Sequence, residues 1–319
     1  MKYRNFSAII FSLGASLLLA ACGGGGKGFV KPTLNFSSFS DIKANQEVIA
    51  DGISQTATET KDASTGEVTS ISPATQDTDN TNLTFDYDAS RALSALTLES
   101  AEANLSWSEA SGDIFFIPDV SLFLSNSALF VSNPDSTQTF VIANPDDTSL
   151  SWNYQTFGVW QDISVSDTTI TTQRGVVSVG RASPAFGIPT EDGATYEGLA
   201  SGFYTDADGK LLLFDSALTA EANFAARSIS FTTSGTTAIN DNPVGITSRD
   251  DLNLTGNLFY NAGSNQFTGT LTNNGSLSGT ATGRFYGSNA EEIGGTFDLN
   301  GSGLESMLGG FGAKEIPLP

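Results

Sequence analysis

The sequence contains no histidine and a single cysteine, and each scarcity excludes a class of active site. Without histidine, the chain cannot form a Ser-His-Asp or Cys-His catalytic group, a His-ligated zinc site or a His-ligated haem site. One cysteine cannot form an internal disulfide bond or a metal site made of several cysteines. A hydrolase that uses two carboxylates is compatible with this composition, but no suitably spaced pair stands out. We therefore expect a protein that is not an enzyme and has no resident metal.

Positive charge is also scarce. The 319 residues include 14 Lys and Arg against 35 Asp and Glu, which gives a formal net charge of −21. Proteins that bind the phosphate backbone of nucleic acids need a cationic surface, so this balance argues against nucleic acid as a partner. A strongly acidic body instead favours a cationic patch on the partner and speeds the encounter of the two at low salt.

The N-terminus resembles the signal peptide of a bacterial lipoprotein. Two basic residues precede an apolar segment, residues 6–19, which is shorter than the roughly 20 residues of a membrane-spanning helix. The segment ends in Leu-Ala-Ala-Cys at 19–22, which is similar to the lipobox, where the cysteine is diacylated and becomes the new N-terminus. The resemblance implies a signal peptide over residues 1–21. It also implies that the acyl chains of Cys22 attach the protein to a lipid bilayer.

The residues after this cysteine indicate where the protein is sorted and how it is displayed. Position 23 is glycine rather than aspartate, and the resemblance to enterobacterial lipoproteins then implies sorting to the outer membrane. We interpret residues 22–32 as the lipidated cysteine and a flexible glycine-rich tether. No later segment reaches about 18 continuous apolar residues, so the rest of the chain is predicted to be soluble.

We assign residues 33–155 to a mixed β domain. Residues 41–84 contain no aromatic side chain, and their Thr, Ser, Asp and Ala content is compatible with disorder. Paired strands over residues 53–60 and 67–72, joined by the turn at 62–66, explain the pattern better. Beyond them we predict short apolar strands and one short helical segment near residues 119–127.

We assign residues 156–319 to a soluble, eight-stranded antiparallel β-barrel. Apolar or glycine residues alternate with Thr, Asn and Ser along four segments between residues 252 and 299, which is typical of half-buried antiparallel strands. Glycine at inward positions relieves crowding in a small barrel. The outward face has no lipid-facing apolar band, so a transmembrane barrel is not predicted. Four further strands are predicted upstream, over 156–164, 194–204, 210–222 and 227–233.

One family resemblance supports this architecture. Residues 283–297 resemble the closing motif of the transferrin-binding protein B β-barrel family, and residues 311–314 resemble its last strand. Residues 195–198 are similar to an inner barrel strand, and the strands from 42 to 72 are similar more weakly. The resemblance implies an all-β protein in which a handle-like N-terminal domain precedes the barrel. The length of the chain allows one such lobe.

The resemblance also implies a function. Related single-lobe surface lipoproteins bind haem, haemoglobin-type proteins or complement regulators, which predicts a non-enzymatic binding module without fixing its ligand. The first hypothesis is capture of a protein or of a haem- or iron-related cargo, with an outer-membrane translocon and a transporter as partners. The alternative is a surface-coat or immune-evasion lipoprotein that binds a host regulator such as a complement factor. No cofactor other than haem as cargo is expected.

Several acidic residues invite a functional interpretation, and the sequence favours a structural one for each. Glu291 and Glu292 are adjacent and therefore do not face one another; we interpret them as part of a helical turn that closes the barrel and is capped by Ser288 or Asn289. The segment 206–209 resembles part of a calcium loop but lacks its other ligands, so a turn between strands is predicted. Asp77, with the nearby Asp79, is expected in a solvated loop.

Aromatic residues give the remaining candidates. Five of them are predicted to cluster where the two domains meet, either as packing or as part of a ligand site: Trp107, Trp152, Tyr154, Phe157 and Trp160. If haem binds, a tyrosine or methionine must supply any axial ligand, because histidine is absent. Four tyrosines of the predicted barrel qualify, and the sequence does not select among them: Tyr196, Tyr204, Tyr260 and Tyr286.

Overall fold

The computed structural model describes residues 33–116, 128–144, 150–241 and 244–316. These residues form β-strands joined by turns and short 3-10 helices, and they contain no α-helix. The predicted signal peptide, Cys22, the tether and the helical segment near 119–127 lie outside the described residues. Within the described ranges, no helix has the length and apolar character needed to cross a membrane.

The first sheet contains eleven strands in the order β6-β5-β4-β2-β11-β10-β9-β8-β7, with β1 and β3 also paired to β2. The first six strands are β1 (Thr33–Asn35), β2 (Glu47–Asp62), β3 (Val68–Ile71), β4 (Thr75–Tyr87), β5 (Leu93–Glu99) and β6 (Asn104–Ser108). The other five are β7 (Ile114–Phe116), β8 (Ala128–Ser132), β9 (Gln138–Ala143), β10 (Gln155–Val165) and β11 (Thr169–Gly180). The β1–β2 pair is parallel, and the other pairs are antiparallel.

The hairpin predicted near the start of this sheet is confirmed. β2 and β3 pair in antiparallel fashion, with Glu59 opposite Ile71 and Thr60 opposite Ser70. The turn between them begins at Asp62, whose carboxylate accepts the backbone N–H groups of Ser64 and Thr65. These side-chain-to-backbone hydrogen bonds are typical of Asx turns and explain why a polar, Thr-rich segment is ordered.

The second sheet contains nine strands, β12 to β20, and eight of them close into a barrel. The first five are β12 (Gly193–Thr205), β13 (Leu211–Asn223), β14 (Ser228–Asp241), β15 (Val244–Ser248) and β16 (Leu254–Tyr260). The other four are β17 (Gln266–Asn273), β18 (Ser278–Tyr286), β19 (Glu292–Asn300) and β20 (Ser306–Ile316). The ring runs β12-β13-β14-β16-β17-β18-β19-β20 and returns to β12, while β15 pairs only with β14. The predicted all-β class and eight-stranded antiparallel barrel are therefore confirmed.

The predicted boundary at residues 155 and 156 is wrong, because the strand expected over 156–164 is β10 of the first sheet. β10 pairs with β9 and β11, and β11 pairs with β2 from Thr169 to Val179. The first sheet thus extends to Gly180, and the barrel begins at Gly193. Residues 155–160 are buried on both faces of β10, since one face lies on the core of the first sheet and the other on the barrel. Such a strand gives no alternation that would assign it to either sheet.

Candidate functional site

The barrel interior is filled by large side chains. Inward aromatic residues are fully buried and pack against one another, as Phe231 does against Phe311 with ring centroids 5.1 Å apart. Glycine makes room for them, as predicted: a Cβ atom on Gly295 would lie 2.6 Å from Phe311 Cζ. An eight-stranded barrel is just wide enough for its own side chains to fill it. Ligands must therefore be sought at the outer surface of the barrel.

Two of the four candidate tyrosines have hydroxyls that are buried in the fold. Tyr196 donates a hydrogen bond to the backbone oxygen of Ala290 at 2.6 Å, and burial raises its pKa. Tyr286 lies 3.1 Å from Ser178 Oγ, and burial raises its pKa as well. A neutral, buried hydroxyl with a protein partner is poorly placed to become an axial ligand, because ligation requires both deprotonation and access.

The other two tyrosines lie at opposite ends of the barrel, Tyr204 buried and Tyr260 partly exposed. Tyr204 donates to Glu305 Oε1 at 3.0 Å, and the Arg249 guanidinium lies 5.1 Å from its ring centroid. Tyr260 packs edge-on against Phe285 at 5.1 Å. The structure therefore does not bring the four candidate tyrosines together into one site.

The predicted aromatic cluster divides into two groups. Trp107 stacks on Phe140 inside the first sheet, with ring centroids 5.6 Å apart, and Trp160 belongs to that same core. Trp152 packs instead against Phe157, at 5.8 Å, in a cluster to which both sheets contribute. The expectation that all of them meet where the domains join is therefore wrong for Trp107 and Trp160. The interpretation as packing is correct for Trp152 and Phe157.

We call the contact between the first sheet and β19 and β20 the junction. Two outward-facing glycines of the barrel make room for side chains of the first sheet: a Cβ atom would lie 2.7 Å from Ser178 Oγ at Gly294 and 2.9 Å from Phe157 Cδ2 at Gly310. The apolar part of the junction adds Phe203 and Leu308 from the barrel. The glycine pairs at 294–295 and 309–310 therefore serve two packing surfaces, one on each side of the barrel wall.

Glu292 fixes one end of the junction. Its side chain is 1% exposed, and its carboxylate accepts the backbone N–H groups of Asn153, Tyr154 and Gln155 at 2.6, 2.9 and 3.0 Å. Burial raises the pKa of Glu292 to about 7, and this outweighs the opposing effects of the three N–H donors and Lys314. One carboxylate of the barrel thereby binds the chain as it enters the first sheet's strand β10.

The helical turn predicted beside this residue does not form. The chain makes bends from Gly287 to Ala290, and the carboxylate of Glu291 accepts the N–H of Asn289 at 2.7 Å. The acidic side chain therefore caps the turn, which reverses the predicted roles of Asn289 and Glu291. Glu291 and Glu292 therefore accept hydrogen bonds from different segments of the chain.

At the opposite end of the junction, a buried carboxylate is held by an ion pair instead of by backbone N–H groups. Glu59 is 2% exposed and pairs with Arg174 at 2.8 Å and with Lys61 at 3.0 Å. Burial alone would raise the pKa of Glu59, but the two cations lower it below its usual value. The Arg174 guanidinium also lies 5.7 Å from the ring centroid of Phe203 in the barrel. This group lies where β2 and β11 face the barrel.

The remaining acidic candidates have structural roles. Asp77 is buried in β4 rather than in a solvated loop, at an irregularity where its carboxylate accepts the N–H groups of Asn80 and Ala101. Burial would raise the pKa of Asp77, but these hydrogen bonds lower it. Asp206 closes the predicted turn between β12 and β13 by accepting from Lys210 N at 2.8 Å. The described residues contain no group of three acidic or cysteine side chains that could hold a metal ion.

The barrel wall opposite the junction carries an uncovered polar surface. In ring order, β14 and β16 are the strands farthest from β19 and β20. We call the outward side chains of β14, β16 and β17 in this region the free face: Ser230, Thr232, Thr255, Asn257, Phe259, Thr270 and Thr272. These side chains border an open groove of about 590 Å³. The sequence pattern places these side chains on the outward face of strands but does not reveal the groove, which is formed by three strands lying side by side.

Comparison with known proteins identifies the barrel. Residues 188–315 match the family model of the C-lobe and N-lobe β-barrels of transferrin-binding protein B. A comparison with curated proteins found no match. A solved variant of transferrin-binding protein B from Haemophilus parasuis, described as a vaccine antigen, is 15% identical with a TM-score of 0.44. That match covers 82% of this chain and 45% of the other, so this chain spans less than half of that relative.

Two further solved structures are similar. A variant of the same antigen from Actinobacillus pleuropneumoniae is 17% identical with a TM-score of 0.44, over 82% of this chain and 99% of that one. The isotype 1 protein from serogroup B Neisseria meningitidis is 11% identical with a TM-score of 0.35, over 85% and 78%. The range matched by the family model begins just before β12 and ends within β20. The C-terminal barrel of this chain therefore matches the β-barrel family of transferrin-binding protein B.

Proposed function

We propose that this protein is a non-enzymatic binding module, anchored to the outer membrane through Cys22 and displayed at the cell surface. The observation that carries the proposal is a closed barrel of a binding-protein family whose interior is filled by its own side chains. A filled barrel leaves the outer wall and the strand-connecting turns for recognition, and rigid strands with variable turns suit that task. Because the formal net charge is −21, a cationic protein surface fits the partner best.

A protein cargo is favoured over free haem. The hydroxyls of Tyr196 and Tyr286 are committed to hydrogen bonds inside the fold. The groove on the free face is polar and open rather than an enclosed apolar slot. Small-molecule sites are usually enclosed and mostly apolar, whereas protein partners bind extended surfaces. The proposed cargo is therefore an iron-related host or environmental protein.

The anchor and the export route complete the proposal. The lipobox-like residues 19–22 and the tether that follows would hold the folded body just above the lipid. A translocon would carry the protein across the outer membrane, and a transporter would receive the cargo. Neither step requires a catalytic group in this chain, and the diverging carboxylates of Glu291 and Glu292 are consistent with that.

Affinity capture tests the proposal. The full chain, purified in detergent and immobilised, is exposed to host serum and to spent medium, and bound proteins are eluted and identified. A resin carrying an unrelated protein of similar negative charge controls for ion exchange. We expect a discrete protein that binds this chain and not the control resin, with affinity that falls as salt is raised. Identical eluates from the two resins would overturn the proposal.

A further inference from the structure

The free face carries no charged side chain. The groove is lined by serine, threonine, asparagine, glycine and phenylalanine, and none of its lining residues is charged. The chain as a whole carries 35 acidic residues, and none of them lines this groove. A neutral surface offers no electrostatic attraction to a cationic or anionic ligand. The partner at this surface should itself be uncharged.

The polar side chains of the free face form a regular array. Thr232, Thr255 and Thr272 lie opposite one another across β14, β16 and β17, and an adjacent row is formed in the same way by Ser230, Asn257 and Thr270. Neighbouring strands place members of a row roughly 4.8 Å apart, and residues two positions apart on a strand are separated by roughly 7 Å. The array therefore presents hydroxyl and amide groups at short, repeated intervals.

These polar groups are available to a ligand. None of the six side chains makes a hydrogen bond with another residue in the described part of the chain, and each is exposed. A hydroxyl can both donate and accept a hydrogen bond, and an amide offers two donors and one acceptor oxygen. One aromatic ring accompanies them, since Phe259 is 56% exposed at the border of the groove. A single ring among hydroxyls is too little for an apolar partner, which would need a contiguous apolar surface.

A saccharide has the complementary chemistry. Its hydroxyl groups both donate and accept hydrogen bonds, its ring C–H groups form an apolar side that stacks on an aromatic ring, and a neutral sugar carries no charge. We propose that the free face binds an uncharged saccharide chain, with Phe259 under one sugar ring and the two polar rows along the chain. This inference rests on the proposed function as a binding module. It names the class of ligand that the free face of the barrel would bind.

The test is binding of neutral oligosaccharides by the detergent-purified full chain. The probes are maltohexaose, chitohexaose, mannohexaose and a desialylated complex N-glycan, screened on an array and then titrated by calorimetry. Phe259→Ala removes the stacking ring, and Phe186→Ala is the matched control, because Phe186 is 94% exposed in the 3-10 turn Ala185–Gly187, outside the groove. Thr270→Val, which removes one hydroxyl with little change of shape, is the second variant should Phe259→Ala not fold.

We expect at least one neutral probe to bind the wild type, and Phe259→Ala to weaken that binding about tenfold. Phe186→Ala should bind within twofold of the wild type. Absence of binding to every neutral probe would overturn the inference, as would equal binding by wild type and Phe259→Ala. Capture of a serum protein that is unchanged in Phe259→Ala, together with no saccharide binding, would refute the inference while leaving the proposed function intact. Saccharide binding without any protein capture would refute the protein cargo instead.

Discussion

Glu292→Gln should change how the stability of the protein depends on pH. Glu292 is buried at the junction, where its two oxygens accept three backbone N–H groups from residues 153–155. Glutamine has nearly the same shape but carries no charge, and its NH2 group cannot accept a hydrogen bond. The substitution therefore removes the titration of a buried carboxyl and leaves one or two of the N–H groups without their acceptor.

The magnitude follows from the pKa of Glu292. Burial raises this pKa to about 7 from an ordinary value of 4.5. The folded protein thus holds the proton more tightly than the unfolded chain, so the free energy of unfolding falls as pH rises from about 4.5 to about 7 and levels off above. The shift of about 2.5 units corresponds to about 3 kcal/mol at about 1.36 kcal/mol per unit.

Urea unfolding of the wild type and of Glu292→Gln, at pH 5 and at pH 8, measures this effect. The other titrating carboxyls are present in both proteins, so their effects cancel when one free energy of unfolding is subtracted from the other. We expect the wild type to be the more stable at pH 5, and the difference to decrease by about 2.5 kcal/mol between pH 5 and pH 8.

The adjacent residue provides the control. Glu291→Gln removes one negative charge from the same turn, but Glu291 bonds within that turn rather than across the junction. The change in the free energy of unfolding that Glu291→Gln causes therefore measures the general effect of a lost charge. This change is subtracted from the one that Glu292→Gln causes at the same pH. If the corrected difference between wild type and Glu292→Gln is the same at pH 5 and pH 8, or is larger at pH 8, the assignment of Glu292 as a buried, titrating carboxyl is refuted.

Three further predictions concern packing, charge and anchoring. Gly310→Val should lower the free energy of unfolding by about 1–3 kcal/mol in a urea titration, because its side chain meets Phe157 across the junction; unchanged stability would contradict the packing there. Arg174→Met should cost about 3–5 kcal/mol at pH 7, since Glu59 loses its main partner in a buried site. Because the pKa of Glu59 is lowered, this cost should shrink as pH falls below about 4.5, and a cost independent of pH would argue against the ion pair. Cys22→Ala should move the protein from the membrane pellet to the soluble fraction in ultracentrifugation, and a variant that still pellets would exclude lipidation at this residue.

The barrel strands could be predicted from the sequence because each has one buried face. Leu254 and Leu258 point inward while Thr255 and Asn257 point outward, so the alternation is direct and the register follows from it. The inward position of Gly295, which lies under Phe311, also follows from this alternation. A small barrel leaves little choice about which side chains fill it, and this is why seven of the eight predicted strands lie in the barrel, the exception being 156–164.

The junction could not be predicted, because it buries the second face of strands from both sheets. β10 has no exposed face at residues 155–160, so its pattern did not reveal which sheet it joins. Outward glycines such as Gly294 and Gly310 look the same in the sequence as inward ones. Glu292 follows another acid, and only the tertiary structure shows that it is buried against the backbone at residues 153–155.

Asp77 and the free face were the least predictable features. Asp77 lies in a polar stretch, which suggested solvent, yet its carboxylate organises an irregular part of β4 through backbone N–H groups. The free face depends on three strands that are brought side by side by closure of the barrel. Lipidation of Cys22 stays a prediction from the sequence, since that residue lies outside the described ranges.

Native mass spectrometry of the full chain, after incubation in parallel with host serum and with haem, tests the central claim most directly. The claim is that a filled barrel binds a protein at its outer surface. The predicted result is a discrete added mass of protein size from serum and no one-to-one complex with haem. A stable one-to-one haem complex, or an unliganded peak under every condition, would contradict it.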